Sequence, residues 1–242
     1  MKKIILCSTQ RSGSTMVVED MRNSTILGNP EEYFIRWQTL NESSNIDNEI
    51  DTLYKQGTKK DVFSIKVMAS QIKRVNQLLE TSTEFKDITD LFKDAYWVYI
   101  KRNDAVKQAV SRYIASVTKV NHAVEDEKTN HFAGNLLKGN YEKYNSEVPY
   151  DFDKIFKEYT NLNNENLFWE DFFKINNIQP LLLEYEIYSK YTNYEHIQQI
   201  AKYANISSEP TIVERKLKKL SNSINSQFVE LFKADISKRS HD

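Results

Sequence analysis

The sequence predicts an α/β protein, a three-layer sandwich in which a central, mainly parallel sheet is flanked by helices. Three observations carry this expectation. Runs of β-forming residues alternate with stretches of helical period along the chain, the pattern of strand–helix–strand crossovers. One such run, Tyr96-Trp97-Val98-Tyr99-Ile100, is dense enough in β-formers for a central strand. The 242 residues include fourteen tyrosines and twelve phenylalanines, enough large side chains for one sizeable core. A single domain over 1–242 is expected, with a polar insertion at about 121–148.

The first strand is the apolar run Ile4–Cys7, and Met16 to Met21 opens the first helix. Gly28-Asn29-Pro30 ends that helical run and starts a loop. The stretch from Asn41 to Lys60 is polar and low in glycine, and reads as a surface excursion with some helix. Val62–Met68 is a second strand, followed by a helical pattern from Ile72 to Glu80. After the Tyr96–Ile100 strand the chain breaks at Lys101-Arg102-Asn103-Asp104. Val106, Ala109, Val110, Tyr113, Ile114 and Val117 then recur on one helical face, with Lys107, Gln108 and Ser111 opposite. Segment Asn121 to Val148 has few apolar residues and reads as a loop or partial helix. Phe152, Ile155, Phe156 and Tyr159 start a helix continuing towards Phe173, and Pro180–Tyr185 is a fourth buried strand. A short helix closes over Ile197–Tyr203, and the last thirty or so residues are basic, then amphipathic.

Between the first strand and helix lies Ser8-Thr9-Gln10-Arg11-Ser12-Gly13-Ser14-Thr15. Unpaired backbone N–H groups and the positive end of the helix dipole favour an anion there. Ser12, Ser14 and Thr15 add hydroxyl donors, Gly13 permits close backbone approach, and Arg11 adds a permanent charge. This is the composition of a P-loop-like phosphate- or sulfate-binding loop, although an ordinary strand-to-helix turn with a serine cap has the same outline. It is not the nucleotide-triphosphatase loop, because Ser14 follows Gly13 where that pattern has lysine, and Ser8 stands where it has its leading glycine. A transferring sulfuryl or phosphoryl group handled without a metal suits it better than a magnesium triphosphate.

The formal net charge of −1 argues against nonspecific nucleic-acid or acidic-membrane binding. One cysteine excludes an internal disulfide and a cysteine-rich metal site. The apolar run after Met1-Lys2-Lys3 is shorter than the ~7–15 residues of a signal core. No segment approaches the ~18 apolar residues of a membrane helix. A cytoplasmic location is expected. The four histidines suggest no metal site, and each reads as a surface residue.

Ligands of parallel sheets bind beyond the carboxyl ends of the strands, which puts Arg11, Lys66, Arg102 and Tyr185 on one sheet edge. Arg102 directly follows the third strand, Asp104 can cap the next helix, and Ser111 lies two turns in. A solvated polar face has the same residues. Two strand–anion–helix units, however, fit a ligand with phosphates at both ends.

Gln10–Thr15, Gly28–Phe34 and Arg102–Ser111, in that order and separation, resemble the sulfotransferase family that uses 3′-phosphoadenosine 5′-phosphosulfate (PAPS). Within it they are similar to the bacterial trehalose 2-sulfotransferase branch. The resemblance implies that Gln10, Arg11, Ser12, Gly13, Ser14 and Thr15 hold the 5′-phosphosulfate, and Arg102 with Ser111 the 3′-phosphate. Arg215, Lys216, Lys218 and Lys219 are candidates for a further basic stretch at that phosphate, Arg215 first among them. It places Glu32 at the general base, with Glu31 its rival, and Gln10 with Asn29–Phe34, including Tyr33 and Phe34, around an acceptor sugar. It also implies 3′-phosphoadenosine 5′-phosphate (PAP) as product, no metal, and a homodimer. Asn103 stands where the branch often has proline, and Ala69 where it often has an aromatic, so trehalose itself is not implied. The competing readings are a small-molecule kinase, which should show the missing lysine, and a sulfonucleotide-binding protein without catalysis.

Overall fold

A computed structural model describes residues 1–41, 44–124, 136–139, 143–211 and 213–239. In chain order its elements begin with β1 (Lys2–Ser8), α1 (Ser14–Ser24), α2 (Phe34–Trp37), α3 (Ile46–Gly57), β2 (Thr58–Lys59) and β3 (Val62–Met68). They continue with α4 (Ala69–Leu79), α5 (Ile88–Leu91), β4 (Tyr96–Lys101), α6 (Ala105–Thr118), β5 (His122–Val124) and β6 (Leu136–Lys138). The last are α7 (Phe152–Ile175), β7 (Leu181–Glu184), α8 (Tyr185–Tyr188), α9 (Glu195–Tyr203), β8 (Leu217–Lys218) and α10 (Ser223–Arg239). The chain forms two compact units, the first built from Met1–Lys101 and Glu165–Glu214, the second from Arg102–Asn164 and Arg215–Asp242.

The first unit holds a five-stranded sheet in the order β2-β3-β1-β4-β7, parallel except for the short β2. Strand β1, not β4, takes the middle place. Successive side chains of a strand point to opposite faces, so a strand apolar at every position needs cover on both. Ile5, Cys7, Phe63, Ile65, Val67, Trp97 and Tyr99 pack on one side with α2–α5 and the end of α7. Ile4, Leu6, Val98, Ile100 and Leu183 pack on the other with α1, α8 and α9. The result is a mixed α/β unit with helices on both faces of a mostly parallel sheet.

The polar stretch 41–60 contains a full helix, α3. Asn45 caps it by accepting from the Asn48 N–H at 3.1 Å, and Ile46, Ile50 and Leu53 form its buried stripe. Asp47 ties α3 to the turn after α4, accepting from the hydroxyls of Ser82 (2.6 Å) and Thr83 (2.8 Å).

The second unit packs α6, the first part of α7 and α10 around Ala109, Val110, Tyr113, Ile114, Ile155, Leu162, Phe228, Val229 and Phe232. Its sheet has the order β6-β5-β8. Where described, the expected insertion therefore forms short strands rather than a helix. His131 and the rest of 125–135 and 140–142 lie outside the described residues, as does His241. Asp104 caps α6 as expected, accepting from the Lys107 N–H at 2.9 Å. Gln108 departs from its expected polar face and is fully buried. Among the described residues, no helix is long and apolar enough to cross a membrane.

Candidate active site

All of the loop between β1 and α1 belongs to the first unit. β1 ends at Ser8, whose carbonyl accepts from the indole N–H of Trp169 at 3.0 Å. The chain then turns through two left-handed residues, Arg11 (φ 64°) and Gly13 (φ 85°). Gly13 is required twice over. A side chain there would be strained by φ, and its Cβ would lie 2.5 Å from the Tyr185 ring and 2.6 Å from the Tyr188 hydroxyl. That hydroxyl donates to the Ser12 carbonyl at 2.9 Å, so α8 closes over the back of the loop.

The structure fits an anion here. No side chain caps α1, and its first turn has no acidic residue. Ser12 and Ser14 are buried, and the Ser12 Oγ meets no hydrogen-bond partner among the described residues. An orphan hydroxyl beside an uncapped helix start is a donor waiting for an acceptor. Gln10 is exposed, and Arg11, Gly13 and Thr15 are partly exposed.

Beside the loop stands a buried lysine paired with a partly buried carboxylate. Lys66, on β3, is 4% exposed; its Nζ lies 2.8 Å from Glu32 Oε2 and donates to Thr15 Oγ1 at 3.4 Å. The Gln71 side chain donates to Glu32 Oε1 at 3.0 Å while its own oxygen accepts from the Met68 N–H at 3.0 Å. Both carboxylate oxygens of Glu32 are therefore held, one by the end of β3 and one by the first turn of α4. Lys66 also donates its backbone N–H to the Glu31 carbonyl at 2.9 Å, which docks the 31–32 segment on the strand.

Glu31 has a different environment. Its carboxylate pairs with Arg22 of α1, and burial raises its pKa above the usual glutamate value, opposed by the Arg22 charge. The Tyr33 hydroxyl donates to the Asn29 carbonyl at 2.6 Å, and burial with the nearby Glu31 charge pushes its pKa up to about 12. Phe34, expected beside an acceptor, is instead fully buried, its ring 4.8 Å from Trp37 and 6.2 Å from Phe92.

Arg102, Ser111 and Arg215 all fall in the second unit. Arg102 precedes the Asp104 cap, Ser111 lies on α6, and Arg215 leads into β8, which pairs with β5. All three are partly exposed.

Sequence reading missed the partners that fix the loop and Glu32: Gln71, Tyr188 and Trp169. It also misplaced His196, read as a surface residue. His196 is fully buried, its Nε2 2.8 Å from Asp20 Oδ2, with the rings of Tyr188, Tyr191 and Tyr194 around it. The signal was the aromatic spacing before it, Tyr188, Tyr191 and Tyr194, which builds a cage for an imidazole.

No curated protein sequence matches the chain. The family model described as Stf0 sulphotransferase matches residues 3–235, which takes in the anion loop, the Glu31–Glu32 segment and both units. On that match the chain belongs to the Stf0 sulphotransferase family, which makes it a transferase.

Proposed function

We propose that the chain moves a sulfuryl group from PAPS to a hydroxyl of a small acceptor, a carbohydrate or glycoconjugate, on a P-loop-like sandwich. Family membership supports a sulfonucleotide donor and a small-molecule acceptor. PAPS, when bound, supplies the sulfuryl group and leaves as PAP. Gln10–Thr15 bind its 5′-phosphosulfate end through the helix start, the Ser12 hydroxyl and the Arg11 charge. Arg102, Ser111 and Arg215 hold its 3′-phosphate; the resemblance supports this assignment. Gln10, Glu31 and Tyr33 border the acceptor, Tyr33 by fixing the Asn29 backbone.

The observation that carries the mechanism is the double anchoring of Glu32 beside the loop. A sugar hydroxyl is a weak nucleophile at neutral pH and gains from a positioned base. Glu32 takes its proton. Glu31 is the rival: its carboxylate pairs with Arg22, whereas Glu32 is tied through Lys66 to the Thr15 hydroxyl at the loop. Arg11 stabilises the negative charge that spreads over the transferring group.

The test pairs Glu32→Gln with Glu31→Gln. Glu32→Gln should bind PAP at least as tightly as the parent by calorimetry and lose about 10²–10⁴-fold in turnover of PAPS. Glu31→Gln should lose far less. Equal activity of Glu32→Gln and the parent would remove Glu32 as base, and absence of PAP binding by the folded parent would remove the donor.

A further inference from the structure

The loop lacks the lysine that triphosphatase loops carry after the glycine, yet an ammonium stands beside it. Lys66 reaches the start of α1 from β3, across the sheet face it shares with Ser64 and Met68. A charge at 4% exposure is held only by its partners. Two of its side-chain contacts belong to the two halves of the proposed chemistry: the Glu32 carboxylate at 2.8 Å and the loop hydroxyl of Thr15 at 3.4 Å.

We infer that Lys66 is a positioning residue that exchanges partners during transfer, from the Glu32 carboxylate to the donor's phosphate at the loop. The inference rests on the reading of Glu32 as base. In the reaction a bond forms between the acceptor oxygen and sulfur. The bond from sulfur to the phosphate oxygen breaks, and its electron pair goes to that oxygen. The acceptor's proton goes to Glu32. Negative charge thus disappears from Glu32 as it grows on the phosphate, and both lie on the same ammonium. One fixed cation offsets the carboxylate before transfer and the leaving phosphate after it, so no second charge has to enter a buried site. Gln71 keeps Glu32 oriented when the ion pair loosens, because its hydrogen bond to Oε1 is independent of Lys66.

The same exchange can be read without turnover, from PAP affinity measured by calorimetry. Glu32→Gln removes the competing carboxylate, so it should bind PAP about five- to tenfold more tightly than the parent. Adding Lys66→Gln to Glu32→Gln should abolish that gain, a coupling that a purely structural lysine would not produce. In PAP release from PAPS, with trehalose or water as acceptor, Lys66→Gln should be about 10²–10³-fold slower than the parent. Lys66→Arg, which keeps the charge, should recover at least about tenfold of that loss.

The inference is overturned if Glu32→Gln leaves PAP affinity unchanged, if the gain survives loss of Lys66, or if Lys66→Arg is no faster than Lys66→Gln. Thermal unfolding of each variant separates loss of fold from loss of charge, and the Glu32→Gln affinity needs no Lys66 variant to fold. A parent that binds PAP but shows none of these changes sinks only the partner exchange. A folded parent that binds no PAP sinks the donor assignment itself.

Discussion

Replacing Gly13 by alanine tests the construction of the loop. The left-handed φ of 85° costs a β-carbon about 1–2 kcal/mol. Contacts at 2.5 and 2.8 Å to the Tyr185 ring force that side chain off its rotamer, for about 0.5–1.5 kcal/mol more. The contact at 2.6 Å to the Tyr188 hydroxyl displaces its hydrogen bond to the Ser12 carbonyl, for about another 0.5–1.5 kcal/mol. The expected loss is about 2–5 kcal/mol. Urea unfolding followed by tryptophan fluorescence is the assay, because Trp37, Trp97 and Trp169, all three tryptophans, lie in the first unit. In a Tyr185→Ala background the loss should shrink by the ring's share, about 0.5–1.5 kcal/mol. A loss below about 0.5 kcal/mol in the parent background would refute both the left-handed turn and the close approach of α8.

Tyr188→Phe should destabilise by about 0.5–1.5 kcal/mol, since it strips a buried carbonyl of its donor, and should weaken PAP binding several-fold by calorimetry. Asp20→Ala should cost about 1–3 kcal/mol in urea unfolding if the buried pair with His196 is neutral, and about 3–5 kcal/mol if it is ionic. A cost near zero would remove the pair from the account of the fold. Hydrogen bonds from Ser82 and Thr83 hold the Asp47 carboxyl below its usual pKa. The depressed value means that the folded state binds fewer protons there than the unfolded chain. Its stabilisation is present above the ordinary carboxylate pKa and is lost as pH falls through the lowered one. Asp47→Asn should therefore lose stability more slowly than the parent on acidification, read as unfolding midpoints against pH.

The four long strands were legible because each is a local run of β-formers bounded by polar turns. Strands β2, β5, β6 and β8 have two or three residues each, too short for any period to register. Helix α3 was blurred because its stripe is only Ile46, Ile50 and Leu53 in a polar field. The loop was legible for the same reason as the strands, since its donors are contiguous. Its supports were not. Trp169 meets Ser8, Tyr188 meets Ser12, and His196 meets Asp20 across separations of 161, 176 and 176 residues, which no local pattern encodes. Lys66 could be placed on the ligand edge of the sheet from sequence, but its partnership with Glu32 and Gln71 depends on how 31–32 docks against β3.

Those separations also set a timetable for biosynthesis. The loop leaves the ribosome well before its supports, since the tyrosine that backs it and the histidine that braces the adjoining helix are polymerised about 176 residues later. At roughly 5–20 residues per second, the nascent loop waits on the order of 10–35 s for them. During that interval Gly13 has no wall behind it and Asp20 no imidazole, so the loop's supports are completed late in translation rather than when its own residues emerge.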